Sequence, residues 1–398
     1  MDLQVVAAIG FVLFLAIFTY LHRKNIVLQK LVYPLFYMIL YKSNFGLGFM
    51  DRCAGKYREF VKFAGYCFIG LGVTGMILIS YSILALIWNL IKTPSAASGF
   101  SFVLPFTHVP GIGYLSFFHW IIAIFFLALI HEFGHGIVAR AHGIPIKSSG
   151  IAFFSIFLPI IPAAFVEPDE KKLEKQADIV KYSIFAAGPM VNILVGIILL
   201  MALPYVRDPT TLGPLENRIT EPIGFSFDLT NDTLPAARAG MQNGMVITAF
   251  NGEELTDATP FLQEMYYCAE PGDTITLTAN GTTYALQTQD VGGRGIVGIQ
   301  NFRNERRVKP QYNMLKHPYY WTKDLFRWIV LLNIFIGLFN LLPLAIVDGG
   351  RIQKTFLERV AGKEKANRLW LFTSFFFLAL VLFGLATTYI GNPFSYLK

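Results

Sequence analysis

Residues 127–140 read LALIHEFGHGIVAR, and this stretch decides the fold because it places ionisable side chains at the end of a strongly apolar run. His131 and His135 are four positions apart, so on a helix both imidazoles lie on one face and can reach one metal ion. Glu132 lies beside them. A zinc ion held by three protein ligands keeps a fourth position for water, and a neighbouring carboxylate can take a proton from that water. The stretch therefore predicts a catalytic zinc site on a helix.

The composition around this motif is that of a membrane protein. Of the 398 residues, 54% are hydrophobic and 15% are charged. Two satisfied histidines at a helix end are the structural alternative, but ionisable residues within an apolar span are costly and usually mark function. Since a bilayer core needs about 20 apolar residues of helix, the runs free of Asp, Glu, Lys and Arg predict about six spans. These runs are Leu3 to Leu21, Phe63 to Ile91, Thr93 to Ile130, Tyr182 to Val206, Trp328 to Val347 and Leu369 to Leu397.

The basic residues predict the orientation of these spans. Lys and Arg number 8 in residues 22–63, 5 in residues 142–181 and 6 in residues 349–368. Positive loops mark the cytoplasmic side, which places the motif near the cytoplasm and both termini outside. The net charge of +7 is thereby explained without a nucleic-acid partner. The first run lacks a basic start and a small-residue cleavage site, which favours a retained span over a signal peptide.

Two segments between the spans are apolar without being helix-like. Residues 26–41 are interrupted by Lys30 and Pro34, and we expect them to lie at the interface rather than to span. Residues 143–166 are broken by glycine and proline, which favours extended strands. Such a segment beside a site in the membrane can offer a strand edge to an unfolded peptide. A short membrane-associated β segment is therefore expected there.

Residues 205–315 differ from the rest of the chain. Charged and polar residues return, and turn signals such as Asn251-Gly252 and Asn280-Gly281 separate short strand-like runs. The pattern predicts one β-rich soluble domain, which the charge distribution places on the extracytoplasmic side.

The third zinc ligand does not follow from the motif's own helix. Asp348 falls where the fifth apolar run meets the cytoplasmic side, at the same depth as the two histidines. It can equally cap the following helix, but it is the acidic residue best placed to complete the site. Asn192, after a Gly-Pro pair in the fourth run, supplies a donor and an acceptor inside the membrane or packs against a neighbouring helix. The three cysteines show no paired spacing, which indicates neither a disulfide framework nor a cysteine metal site.

In three of its motifs the chain resembles the site-2 proteases, which are intramembrane zinc metalloproteases. The resemblance rests on His131-Glu132-x-x-His135, on Gly188-Pro189-x-x-Asn192, and on Asn340-x-x-Pro343 leading to Asp348-Gly349. One departure is Ala345-Ile346-Val347, where the family often has prolines and then leucine. The inserted segment looks like a single PDZ domain, mainly through residues 234–241 and 246–252.

The resemblance implies an α-helical polytopic membrane protein with about six transmembrane helices, one inserted PDZ-like domain and a short membrane-associated β segment. It implies His131, His135 and Asp348 as ligands of one Zn²⁺ per chain, Glu132 as general base and acid, and Asn192 and Asn340 as residues that bind the substrate backbone. The implied enzyme is a zinc metalloendopeptidase of class EC 3.4.24 in the cell membrane. In it, Glu132 activates zinc-bound water to cleave membrane-anchored proteins in or near their transmembrane segments (regulated intramembrane proteolysis).

Four domains are expected along the chain. They are residues 1–113 with the first two spans, 114–204 with the histidine motif, the β segment and the Asn192 helix, 205–315 as the PDZ-like domain, and 316–398 with Asp348 and the last span.

Three rival interpretations remain. A zinc transporter would need ligands at successive depths along a path, whereas the predicted ligands share one depth. A catalytically silent binding protein would have no need of Glu132. A membrane protease of another family would use a glutamate as third ligand, with Glu167 and Glu170 as candidates.

Overall fold

The computed structural model describes residues 3–32, 36–94, 96, 98–109, 113–156, 158–207 and 213–396. The chain separates into two compact units. The helical unit consists of Met1–Met201 and Thr322–Lys398, and the inserted unit consists of Ala202–Trp321. Pro34, one of the two predicted interruptions of residues 26–41, lies outside the described residues.

Most of the described helices belong to the helical unit, and three short ones lie in the inserted unit. In chain order they are α1 (Leu3–Leu21), α2 (Leu47–Lys56), α3 (Arg58–Lys92), α4 (Phe117–Ala141), α5 (Glu170–Glu174), α6 (Asp178–Arg207), α7 (Gly213–Ile219), α8 (Pro235–Arg238), α9 (Thr259–Tyr267), α10 (Lys316–Phe339), α11 (Asp348–Ala361) and α12 (Lys363–Tyr389). Short 3₁₀ turns lie at Arg23–Asn25, Pro310–Leu315 and Pro393–Tyr396.

The strands belong to both units. In chain order they are β1 (Ile26–Val32), β2 (Phe36–Ser43), β3 (Thr107–Val109), β4 (Gly113–Leu115), β5 (Ile146–Ile156), β6 (Leu158–Pro168), β7 (Thr220–Leu229), β8 (Val246–Phe250), β9 (Glu253–Glu254), β10 (Thr274–Ala279), β11 (Thr282–Gln287), β12 (Gln289–Val291), β13 (Arg294–Ile296) and β14 (Ile299–Val308).

Five helices in the described part of the chain are long and apolar enough to cross a membrane, namely α1, α3, α4, α6 and α12. This number differs from the predicted six. The predicted fifth span, residues 328–347, is helical only up to Phe339, where α10 ends and a series of turns leads to Asp348. The first half of α10 carries Lys323, Asp324 and Arg327, so its apolar part is short. The architecture is nevertheless that of a polytopic helical membrane protein with several β-sheets.

A four-stranded antiparallel sheet of order β1-β2-β5-β6 lies in the helical unit. The strands predicted within residues 143–166 are confirmed as the hairpin β5-β6. Residues 26–41 are expected at the interface without a stated conformation, and their described parts, 26–32 and 36–41, form most of the antiparallel pair β1-β2 and extend this sheet. Gly150 is required at the β2-β5 contact, because a Cβ atom there would lie 2.0 Å from the Tyr41 carbonyl oxygen. Strand β6 is one edge of the sheet and packs against α4.

The inserted unit contains an antiparallel sheet of order β11-β10-β8-β7-β14, with β9 paired to β8. Its buried core joins the strands to α9 and includes Phe225, Phe227, Ile247, Phe261 and Leu277. The hairpins β8-β9 and β10-β11 turn at Asn251-Gly252 and Asn280-Gly281, where all four residues have positive φ. These are the Asn-Gly turns that the sequence predicts, since two-residue hairpins favour this conformation.

Candidate metal centre

Helix α4 presents the histidine motif to the interior of the helical unit. The helix begins after Ser116, whose hydroxyl accepts a hydrogen bond from the backbone N–H of His119 as an N-cap. From Phe117 to Ile130 the residues are almost entirely apolar, and His131, Glu132 and His135 follow in the same helix. The four-residue spacing brings the two imidazoles together, with ring centroids 4.7 Å apart.

Asp348 completes a group of three possible ligands with His131 and His135. The Nε2 atoms of the two histidines are 3.1 Å apart, and Asp348 Oδ2 lies 3.0 Å from His131 Nε2 and 3.3 Å from His135 Nε2. Ligands about 2.0–2.1 Å from a tetrahedral zinc ion lie about 3.3 Å from one another. The three donor atoms therefore have the spacing and the chemical types that a zinc ion requires.

A tight loop carries Asp348 to this position. The backbone N–H of Gly349 donates to the Asn340 carbonyl oxygen at 2.8 Å, which closes residues 340–349 into a compact turn before α11. Cβ atoms on Gly349 and Gly350 would lie 2.2 Å from the Leu341 oxygen and 1.9 Å from the Leu344 oxygen. Gly349 and Gly350 are thus required sterically, since only glycine lets the loop approach the start of α11 so closely.

Helix α6 supports the histidines from the other side. The Nδ1 atom of His135 lies 2.7 Å from the Ile184 carbonyl oxygen and donates to it, which leaves the lone pair of Nε2 free for a metal. A Cβ atom on Gly188 would lie 2.3 Å from His135 Nε2 and 2.8 Å from His131 Nε2, so both rings fill the space above this glycine.

The two predicted asparagines occupy different environments. Asn192 is completely buried, and its Nδ2 atom lies 3.3 Å from His131 Nδ1. Asn340 is half-buried, and its side-chain amide donates to the Ile336 carbonyl oxygen, 3.0 Å away in the preceding helix α10. The structure therefore brings Asn192 to the cluster through its side chain, whereas Asn340 shapes the Asp348 loop through its backbone carbonyl.

Glu132 is held by the edge strand of the sheet. Its Oε2 atom accepts a hydrogen bond of 2.9 Å from the backbone N–H of Val166 in β6. Because successive residues of a strand point their N–H groups to opposite sides, this edge of β6 faces α4 and not β5. The role of Val166 cannot be found from side-chain chemistry, since the residue acts through its backbone.

The alternative ligands have other neighbours. Glu167 accepts hydrogen bonds of 2.6 Å from both Lys42 Nζ and Ser148 Oγ. Glu170 is exposed at the start of α5. Among the residues that the structure describes, His131, His135 and Asp348 are the group whose donor atoms lie within 4.8 Å of one another.

Residues 119–381, more than half of the chain, match the model of peptidase family M50. The chain belongs to peptidase family M50. The resemblance to the site-2 proteases, which form this family, is confirmed.

Several curated relatives of this M50 chain are similar over part of its length. The uncharacterized protein MJ0971 of Methanocaldococcus jannaschii is 30% identical over 62% of the chain and 59% of its own length. The zinc metalloprotease RasP of Geobacillus kaustophilus is 23% identical over 44% of the chain and 50% of its own length. The putative zinc metalloprotease NMA0084 of Neisseria meningitidis serogroup A is 29% identical over 46% of each. The M50 chain thus spans about half the length of the curated relatives it matches, and the family and these names support a membrane-associated zinc metalloprotease.

Proposed function

We propose that this M50 chain is a zinc-dependent intramembrane endopeptidase that hydrolyses peptide bonds in or next to the transmembrane segments of membrane-anchored proteins. The observation that carries the proposal is the convergence of His131, His135 and Asp348 on one point beside Glu132, within a helix apolar enough to span a membrane. Membrane-anchored substrates follow from this position, since they deliver peptide bonds to the same depth.

His131, His135 and Asp348 would hold one Zn²⁺ through Nε2, Nε2 and Oδ2. Bound zinc supplies a Lewis acid that polarises a carbonyl group and lowers the pKa of water. The chain's own part is to fix three donors at the required spacing, with the His135 tautomer set by its bond to Ile184.

Glu132 is proposed as the proton carrier. Its carboxylate takes a proton from the attacking water and returns it to the nitrogen of the leaving amine, so the proton balance closes over one turnover. The hydrogen bond from Val166 fixes one carboxylate oxygen and leaves the other for this exchange.

The β6 edge is proposed to receive the unwound substrate. A peptide bond within a helix is shielded by its own hydrogen bonds, so the segment must become extended before cleavage. An extended segment can pair through its main chain with an edge strand, and here it would have to enter between β6 and α4, which packs against that edge. The edge of β6 that bears the Val166 N–H lies beside Glu132, which would align a paired substrate with the proton carrier.

The resemblance assigns both Asn192 and Asn340 to the substrate backbone. We keep Asn340 in this role, because its side chain is partly exposed at the loop that carries Asp348. Asn192 is fully buried and lies on His131.

We further propose the organisation expected from the sequence. Residues 1–113 supply the N-terminal helices, residues 114–204 and 316–398 form the catalytic core, and residues 205–315 form a PDZ-like domain on the extracytoplasmic side. The compact inserted sheet and its separate core support such a domain. The basic blocks in residues 22–63, 142–181 and 349–368 support a catalytic site near the cytoplasmic side of a multi-pass protein in the cell membrane.

The decisive test is cleavage of a generic helical membrane protein by the purified full chain in detergent. Wild type is compared with Glu132→Ala, with wild type plus a zinc chelator, and with Glu170→Gln as a control for an exposed carboxylate. We expect product from wild type and Glu170→Gln, restoration by added zinc after chelation, and at least a 100-fold loss in Glu132→Ala with zinc still bound. Cleavage that persists in Glu132→Ala would contradict the proposal.

A further inference from the structure

Asn192 is a fully buried amide whose only described hydrogen-bond partner is a candidate zinc ligand. Its Nδ2 atom lies 3.3 Å from His131 Nδ1, and its Oδ1 atom accepts no hydrogen bond from any residue that the structure describes. A buried amide that is only half satisfied is costly, which indicates a role for the contact with His131.

The chemistry of a histidine ligand defines what that contact must supply. A histidine that binds zinc through Nε2 keeps its proton on Nδ1, and this N–H almost always donates to a carboxylate, a carbonyl oxygen or water. His135 meets this requirement through the Ile184 carbonyl oxygen at 2.7 Å. For His131, the polar group in the corresponding position is the Asn192 amide. A side-chain amide can turn its oxygen or its nitrogen toward a neighbour, and the oxygen is the acceptor that a zinc-bound His131 needs.

We propose that Asn192 is a positioning residue for the zinc ligand His131, in which the amide oxygen accepts the Nδ1 proton and fixes the tautomer and the ring orientation. The inference rests on the proposed zinc site and deepens it. It departs from the substrate-binding role that the family resemblance implies for this asparagine.

The packing around Asn192 favours this role over contact with a substrate. The side chain has no exposed surface. Gly337 of α10 lies against it, since a Cβ atom on Gly337 would lie 3.3 Å from the Asn192 Cβ atom and 3.0 Å from the Pro189 oxygen. Asn192 is therefore enclosed between α4 and α10, and this packing keeps its amide group beside His131. Rotation toward a substrate would need α6 and α10 to separate.

The experiment measures zinc affinity and cleavage kinetics in parallel. Metal-free full-length protein in detergent is titrated with Zn²⁺ in competition with a zinc-binding dye, for wild type, Asn192→Leu, Asn192→Asp and Asn333→Leu. Leucine and aspartate have the same number of side-chain heavy atoms as asparagine, and only aspartate keeps the acceptor. Asn333 is the matched control, because it is also fully buried, has an unpartnered Oδ1 atom and donates only to Ile329 of its own helix among the described residues.

We expect Asn192→Leu to weaken zinc binding about 10- to 100-fold, the usual cost of losing the partner of a histidine ligand. Asn192→Asp should retain at least the wild-type affinity, and Asn333→Leu should match wild type. At saturating zinc, Asn192→Leu should keep the wild-type KM for substrate, because the side chain does not touch it.

Three results would overturn the inference. The first is wild-type zinc affinity in Asn192→Leu with a raised KM, which would identify a substrate contact. The second is equal weakening in Asn192→Leu and Asn333→Leu, which would identify a general packing effect. The third is weakening in Asn192→Asp, which decides the matter even where the leucine variant fails to fold. A wild-type protein that binds zinc but cleaves nothing would refute the endopeptidase proposal. The zinc affinities of the variants would still test the role of Asn192.

Discussion

Gly188 of α6 lies so close to His135 that a Cβ atom built on its backbone would be 2.3 Å from the Nε2 atom of the imidazole. Real Cβ contacts do not reach this distance, so any larger residue must displace the ring or the helix. The displaced atom is one of the three donors of the candidate metal centre. The absence of a side chain at Gly188 is therefore required for the position of the His135 donor atom.

The first prediction concerns this contact. Gly188→Ala should weaken zinc binding about 10-fold or more, because the added methyl group moves both imidazoles away from Asp348. Zinc content and affinity of the purified protein provide the measurement. Gly70→Ala on α3 is the matched control, since a Cβ atom there meets nothing within 4 Å. Equal zinc affinity in Gly188→Ala and wild type would contradict the prediction, because it would show that the two imidazole rings can move aside without a loss of zinc binding.

The second prediction tests the backbone contact of Glu132. Val166→Pro removes the N–H group that donates to Glu132 Oε2 and spares the ladder to β5, because this N–H faces α4. A hydrogen bond to a charged group contributes about 1.5–3 kcal/mol, so we expect kcat to fall about 10-fold or more with zinc retained. Val166→Ala keeps the N–H while shortening the side chain, and it should remain clearly more active than the proline variant. An equal fall of kcat in Val166→Pro and Val166→Ala would refute a catalytic role for the Val166 N–H group.

The third prediction concerns the third ligand. Asp348→Asn should weaken zinc binding on the order of 100-fold or more, because losing a ligand costs more than the 10- to 100-fold loss of a ligand's partner. Metal analysis after dialysis gives the zinc content, and cleavage should fall with it. Glu167→Gln serves as the comparison for the rival ligand and should retain zinc, since Glu167 is bound to Lys42 and Ser148. Loss of zinc in Glu167→Gln alone would transfer the assignment to that residue.

The fourth prediction is a pH dependence of the stability conferred by the four-stranded sheet. Hydrogen bonds from Lys42 and then Ser148 hold the pKa of Glu167 below its usual value of 4.5. A carboxylate with a lowered pKa in the folded state stabilises the protein above its unfolded pKa and loses that contribution as the pH falls through the folded pKa. Both partners of the Lys42 ion pair are more than one-third exposed, so solvent reduces the effect to at most about 1 kcal/mol.

Glu167→Gln should therefore lower the melting temperature in detergent at pH 7 and should equal wild type once the pH is well below 4.5. Thermal unfolding of the two proteins across this range is the measurement. Glu170→Gln, at an exposed carboxylate, should show no such difference. If the melting temperatures of Glu167→Gln and wild type differ as much at low pH as at pH 7, ionisation of Glu167 does not explain the difference.

Local patterns predicted much of the helical unit. The four-residue spacing of His131 and His135 requires only helix geometry, so the sequence alone brings their rings to one face. The end of the fifth apolar run predicts that Asp348 lies at the same depth as the two histidines. The hairpin β5-β6 follows from Gly150 and the prolines that exclude a helix.

The remaining features depend on contacts that residue types do not encode. Strand β2 pairs with β5 across more than 100 positions, and nothing within residues 26–41 specifies that partner. Helix α10 ends at Phe339, and the Asn340 carbonyl oxygen just beyond it accepts a hydrogen bond from Gly349, so the apolar run predicted to span is only partly helical. Val166 contributes a backbone N–H that any residue except proline can supply. The burial of Asn192 is likewise a property of the assembled helices.

The donors of the candidate metal centre come from distant parts of the chain. His131 and His135 belong to α4, whereas Asp348 begins α11, after the whole inserted unit. During synthesis, a ribosome that has released residues 1–207 has therefore produced both imidazoles but no carboxylate to complete the site. The candidate metal-binding geometry can therefore be completed only after Asp348, within the last fifth of the polypeptide, has been synthesised.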